Sequence, residues 1–161
     1  ASEAEVKARL ARLLSVQGKR TVTSFHRELG RMLWNNCGMT RSEAGLREAL
    51  RRIPELRDAF WSQVKVSGSS GELNQDLERA NQVADYLELS ELMCRDALMR
   101  RESCGGHFRT ESQTEDGEAR RDDAQFAFVA AWECGGADRE PMLHKEPLVY
   151  EEARMSPRSY R

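Results

Sequence analysis

The stretch Arg100-Arg-Glu-Ser-Cys-Gly-Gly-His-Phe-Arg109 gathers arginines, a carboxylate, a thiol and an imidazole around a double glycine. Cys104 and His107 have a C-x-x-H spacing that would supply half of a zinc site, but no second ligand pair stands at metal spacing. Cys104 follows basic residues that would favour its thiolate, so the same pair has the makings of a nucleophile and its base. The plainer reading is a hydrogen-bonded helix exit and docking loop. Glycines let the chain leave a helix through a left-handed cap and let another backbone come close.

The remaining candidates are weaker. His26 lies in a helix beside an apolar stripe and reads as a partly buried surface residue rather than a base. His144 has charged neighbours, and local hydrogen bonding is all it needs. No GxGxxG follows a strand and no Walker loop is present, while Gly105-Gly106 follows a helix C-terminus, whose dipole repels anions. The residues therefore propose no catalytic, cofactor-binding or metal-ligating group.

Composition narrows the classes further. Lys+Arg 25 against Asp+Glu 27 leaves a formal charge of -2, unlike a nucleic-acid binder held by a basic excess. With 161 residues, 39% of them hydrophobic, the chain is long enough to bury a core. No apolar run approaches the length of a membrane span, so no direct membrane insertion is expected. The start at Ala1, with no initiator Met and no signal peptide, reads as a fragment of a longer chain. Cys37, Cys94, Cys104 and Cys134 form no CxxC pair, which fits a reducing compartment and thiols used mostly as core filler.

Helices must position the reactive segment. Ser2 and Glu5 have capping-box spacing, followed by Val6, Leu10, Leu13 and Leu14 on one face, and Gly18 ends the segment. A second helix carries Val22, Phe25, Leu29, Met32 and Leu33 and stops near Gly38. Thr40 and Glu43 suggest another capping box, ahead of Leu46, Leu50, Ile53, Leu56 and Phe60, with Pro54 expected to kink or split that helix. After the loop of residues 66–71 comes the longest helix, Glu72 to Arg101, with Leu73, Leu77, Ala80, Ala84, Leu87, Cys94 and Leu98 as its seam. Such stripes with short connections predict an antiparallel bundle.

Beyond it the pattern changes. Residues 102–124 read as a long surface loop. From Gln125 the period becomes two, with Phe126, Phe128, Ala130 and Trp132 facing one way and Ala127, Val129 and Ala131 the other. Gly135-Gly136-Ala-Asp turns the chain, and Pro141–Lys145 returns as the second strand of a hairpin, before a tail punctuated by Pro147 and Pro157. The expected fold class is mainly α: a bundle over residues 1–101, then 102–161 as loop, β-hairpin and extended tail packed on it as one domain.

Glu102-Ser103-Cys104-Gly105-Gly106-His107 resembles the Glu-Ser-Arg-Gly-x-His motif of the flavoprotein subunits of succinate dehydrogenase and fumarate reductase. Arg27-Glu-Leu-Gly-Arg-Met-Leu-Trp34 with Cys37-Gly-Met-Thr-Arg41 is similar to that family's LGxxMWxxxGxxR helix and turn. Gly45-Leu-Arg-Glu-Ala-Leu50, Glu55-Leu-Arg57, Asn74-Gln-x-Leu77, Arg95-Asp-Ala-Leu98, Arg121-Asp-Asp123, Trp132 and Arg158-Ser-Tyr160 follow in the family's order. The resemblance covers essentially the whole chain, with one departure: Cys104 stands where most members carry arginine.

The resemblance implies the family's C-terminal helical domain, a three-helix, spectrin-repeat-like antiparallel bundle with an extended tail. It implies FAD in the full-length subunit, held by an N-terminal domain absent here, and none in this fragment. Hydride would pass between dicarboxylate and flavin, with electrons leaving to an iron–sulfur subunit. The implied partners are the flavin domain of the same chain, that iron–sulfur subunit and a membrane anchor, on the cytoplasmic side of a bacterial inner membrane. The fragment is expected to be inactive and soluble, serving structure and docking. For contact, the expected residues are the turn Arg101, Glu102, Ser103, His107 and Arg109 and the hairpin face Phe126, Phe128 and Trp132. Two other readings compete: the C-terminal domain of L-aspartate oxidase, whose chains usually end soon after the motif, and a free-standing helical interaction module.

Overall fold

A computed structural model describes residues 2–136, 139–153 and 156. The chain divides at Met99/Arg100 into two compact units.

The first unit contains α1 (Ser2–Ser15), β1 (Arg20–Thr21), α2 (Val22–Cys37), β2 (Thr40–Arg41), α3 (Glu43–Gln63), β3 (Val64–Lys65) and α4 (Gln75–Met99). Side chains satisfy the free amides at three helix starts, as helix ends require. Thr21 Oγ1 accepts from the Ser24 amide at 3.2 Å, and Ser42 Oγ accepts from the Gly45 amide at 3.1 Å. Asn74 Oδ1 accepts from the Leu77 amide at 3.0 Å, while its Nδ2 donates to the carbonyls of Ser67 and Ser69, folding the small polar loop onto the start of α4.

The core forms where the apolar stripes meet. Phe25, Leu29 and Met32 of α2, Leu46, Ile53 and Phe60 of α3, and Leu77, Ala84 and Leu87 of α4 are buried together, with Leu13 of α1. Phe25 and Phe60 meet edge to face with ring centroids 5.3 Å apart, a pairing that contributes roughly 0.5–1.5 kcal/mol beyond its area. That contact joins the start of α2 to the end of α3, so the two run antiparallel. His26 lies 5.9 Å from Tyr86 and Cys37 is hydrogen-bonded to Cys94, so α2 and α4 run the same way. The three helices therefore go up, down and up, and α1 packs on α4 as a fourth, with Arg9 donating to the Asn81 carbonyl and the Asp85 carboxylate.

A short parallel pairing, Arg20 with Val64 and Thr21 with Lys65, ties the entrance of α2 to the exit of α3. A Cβ at Gly18 would fall 1.8 Å from the Gln63 carbonyl oxygen, so only glycine lets the chain pass that close. At the other end of α2, the Cys94 hydrogen bond and then the Arg41 charge lower the Cys37 thiol to about 7. Its bonded partner Cys94 is pushed the opposite way by Cys37 and by burial.

The mainly α reading holds; several of its details change. Helix α3 runs unbroken through Pro54, because Ile53, Leu56 and Phe60 are locked in the core on either side of it. That packing outweighs the lost backbone bond, about 3 kcal/mol in an isolated helix. Ser42, not Thr40, caps α3, since Thr40 and Arg41 are already extended. Helix α4 starts at Gln75 and ends at Met99, leaving Leu73 outside it and 92% exposed. Val6 and His26 are exposed as well.

The second unit contains β4 (Phe108–Arg109), α5 (Asp123–Phe126), β5 (Phe128–Glu133) and β6 (Met142–Pro147). Strands β5 and β6 pair antiparallel from Phe128 with Pro147 to Glu133 with Met142. Gln125 and Phe126, expected in the strand, close a single helical turn that Asp122 caps by accepting from the Gln125 amide. Strand alternation begins only at Phe128, with Phe128, Ala130 and Trp132 less exposed than Val129, Ala131 and Glu133. Ala137 and Asp138 of the expected turn, Pro157 and the Arg158–Tyr160 end lie outside the described residues.

Candidate docking turn

The reactive segment begins where α4 stops. Residues 100–103 leave the helix without regular structure, bending at Glu102. Arg100 Nη1 lies 2.8 Å from Glu102 Oε1. The other oxygen of Glu102 accepts from the Asp122 amide at 2.9 Å. Glu102 is 3% exposed. A carboxylate so far from water is tolerable only with partners of this kind.

Arg100 also reaches the hairpin. Its guanidinium donates to the carbonyls of Phe126 at 3.0 Å and Phe128 at 3.2 Å. The guanidinium carbon lies 5.1 Å from the Phe128 ring centroid, and Lys145 Nζ approaches the same ring at 4.5 Å. One arginine thus holds the carboxylate of the turn and the entrance to β5, using the planar, forked donors that lysine lacks.

Ser103 and Arg109 close the turn from the other side. Ser103 Oγ accepts from the Arg109 amide at 2.8 Å and donates to the Arg109 carbonyl at 3.2 Å. Ser103 is 0% and Arg109 2% exposed; the Arg109 Nε donates to Glu111 at 3.1 Å, and its Nη1 to the Arg100 carbonyl at 3.4 Å. Between them, Cys104 and His107 exchange two backbone bonds of 2.8 and 3.0 Å around Gly105-Gly106. Gly105 takes φ +58, so the double glycine makes this tight turn rather than the cap of α4. A Cβ on either glycine would meet no described atom within 4 Å, so neither is required here by a close backbone approach.

His107 Nε2 lies 2.9 Å from the Arg100 carbonyl, which only accepts. That nitrogen therefore carries the proton and acts as a donor holding the turn. Cys104 beside it is exposed. Ser112 Oγ donates to the Arg101 carbonyl at 2.6 Å, and the Ser103 amide donates to the Arg120 carbonyl, so the expected surface loop is internally bonded. Arg121 is held by Asp123 at 2.6 Å, a hydrogen bond that raises its already high pKa.

The geometry joins Glu102, Ser103, His107, Arg109, Phe126 and Phe128 in one network. Arg101 lends it only a carbonyl, and its side chain is exposed. Trp132 is half-buried and pairs across the hairpin with Leu143. His144 bonds Glu133 at 2.7 Å, the local role foreseen for it. The residue missed was Arg100, the hub; its place two residues before Glu102 was the available signal. Among the described residues no group of three His, Cys, Asp or Glu is placed to hold a metal ion, and no helix is long and apolar enough to cross a membrane.

Comparisons with known proteins bear on the same segments. The sequence profile of a family described as "Fumarate reductase flavoprotein C-term" matches residues 26–160. The fumarate reductase flavoprotein subunit of Haemophilus influenzae is 26% identical over 158 residues, covering 97% of this chain and 25% of that protein. An L-aspartate oxidase of Synechocystis is 27% identical over 95 residues, but covers only 51% of this chain. Among solved structures, an E. coli quinol fumarate reductase superposes with a TM-score of 0.78 at 23% identity, over 95% of this chain and 25% of that one. The chain thus spans about a quarter of the length of the relatives it matches.

Proposed function

Since this chain belongs to the fumarate reductase flavoprotein C-terminal family, we propose that it is the helical C-terminal domain of a FAD-dependent succinate dehydrogenase/fumarate reductase flavoprotein subunit. The whole subunit would interconvert succinate and fumarate and pass electrons to an iron–sulfur subunit. The observation that carries this reading is the match over residues 26–160, which takes in most of α2, the bundle seam and the bonded turn together. L-aspartate oxidase is the weaker reading, because its match leaves half the chain unaccounted for.

The double glycine lends no support to a phosphate cradle in this part of the chain. It lies in a two-residue turn past the C-terminus of α4, with no helix N-terminus to receive a pyrophosphate. FAD would therefore be held by another part of the subunit, and these residues would position and dock. Arg100 would fix the hairpin to the turn, so that Phe126, Phe128 and Trp132 present a set surface to the flavin domain of the same chain. The iron–sulfur subunit and a membrane anchor would complete the assembly, on the cytoplasmic side of a bacterial inner membrane.

The reading frame upstream of Ala1 tests this directly. A glycine-rich dinucleotide motif encoded in frame is the expected finding. A start codon immediately before Ala1 would favour a free-standing helical module and overturn the proposal.

A further inference from the structure

We propose that Cys37 and Cys94 form a modification site: a buried thiol pair that a hydroperoxide converts to a disulfide, clasping the end of α2 to α4, and that a dithiol reductant reopens.

The two thiols meet inside the core. Cys37 is the last residue of α2, and Cys94 lies late in α4. Both belong to the buried cluster, at 6% and 0% exposure. Their side chains are hydrogen-bonded to each other across two packed helices that the whole of α3 separates in the chain. A disulfide requires cysteine side chains that already face one another, and this pair meets that requirement. Cys104 and Cys134, by contrast, are exposed and belong to the second unit.

The surroundings give the two sulfurs different parts. Cys94 donates and Cys37 accepts; that bond and then the Arg41 charge hold the Cys37 thiol near 7, while Cys94 is pushed upward and keeps its proton. A helix C-terminus disfavours a thiolate. Arg41 offsets this from just beyond the helix, where its Nε donates to the Gly38 carbonyl at 2.8 Å. Cys37 is also the more accessible sulfur, two residues before Met39, which is 87% exposed. It is therefore the nucleophile, since the thiolate is the form that attacks a peroxide.

The chemistry then runs in two steps. The Cys37 thiolate attacks the outer oxygen of the hydroperoxide; an S–O bond forms, the O–O bond breaks, and water or alcohol leaves with the proton that Cys37 released. Cys94 Sγ next attacks the sulfenic sulfur. The S–S bond forms, the S–O bond breaks, and hydroxide leaves as water with the Cys94 proton. Each sulfur loses one electron, and the peroxide bond takes up the pair. The product closes the segment 38–93 into a loop, which constrains the unfolded chain and stabilises the fold.

Cys104→Ser with Cys134→Ser leaves this pair as the only thiols of the 161-residue chain. The folded protein is treated with hydrogen peroxide, remaining thiols are blocked, and tryptic peptides are mapped by mass. Peptide 32–41 joined to peptide 80–95 within one chain is the expected product. Its Tm should rise by about 8–15 °C and fall back on addition of dithiothreitol. With Cys94→Ser added, dimedone should trap sulfenic acid at Cys37 at least about tenfold faster than at Cys94 in the Cys37→Ser counterpart. Two surviving thiols, sulfinic acid at Cys37 without a cross-link, or bonds only between chains would overturn the proposal. Equal trapping rates would overturn the order of attack. The full-length subunit, mapped in the same way, should yield the same joined peptides, and unreacted thiols there would also count against the site.

Discussion

Arg100 Nη1 lies 2.8 Å from Oε1 of Glu102, a carboxylate that is almost wholly withdrawn from water. Removing the arginine strands that charge, which for a buried pair costs about 3–5 kcal/mol. Arg100→Ala should therefore lower unfolding stability by about that much in urea denaturation of the chain. Arg100→Ala with Glu102→Ala should lose less than the two single losses added together. Strict additivity would mean that the pair is not coupled.

Ser103 serves Arg109 twice, as acceptor for its amide and donor to its carbonyl. Ser103→Ala leaves a buried N–H unpartnered, at a cost of about 1–3 kcal/mol. The sensitive readout is hydrogen exchange at the Arg109 amide, which should accelerate by one to two orders of magnitude, roughly the same energy expressed as a rate. Unchanged protection would show that the bond contributes nothing to order in the turn.

Gly18 and Gly30 should respond oppositely in the isolated chain. An added methyl at Gly18 meets the Gln63 carbonyl at 1.8 Å, and one at Gly30 meets open space. Gly18→Ala is expected to cost at least about 1–3 kcal/mol, the range for overpacked sites, since the obstacle is backbone and cannot rotate away. A thermal melt in which Gly18→Ala matches the parent chain would refute the close crossing of α3.

The Cys37–Cys94 pair gives a pH dependence with a definite sign. Cys37 ionises near 7 in the fold against an ordinary 9.0, so its contribution is present above pH 9 and is lost as pH falls through 7. Cys94 is shifted upward, so it opposes folding only once the pH exceeds its ordinary 9.0. Stability should rise from pH 7 toward 9 and then level or fall. Cys37→Ser with Cys94→Ser should flatten the rise; melts that show the same slope for parent and variant would exclude the thiols as its source.

The bundle was legible wherever large apolar residues kept a helical period. Phe25, Leu29, Ile53, Phe60 and Leu87 all fall in the core as their spacing implies. Ala80 and Ala84 were legible because they continue the stripe of α4, whereas Ala49, Val83, Ser90 and Ala97 are buried without belonging to any stripe of bulky side chains. Leu73 failed because Asn74, not Glu72, starts α4, and a residue before the cap has no helical face. In the turn, Ser103 and His107 stood out by type. Arg100 did not, because choosing it over Arg101 requires knowing that the helix ends at Met99.

The most direct test of the central claim compares flavin content and dicarboxylate turnover in the 161-residue chain and in the full-length subunit that contains it. The chain alone should be colourless and inactive, and the full-length subunit should show a flavin absorption band and interconvert succinate and fumarate. A flavin band or turnover from the chain by itself would contradict the account.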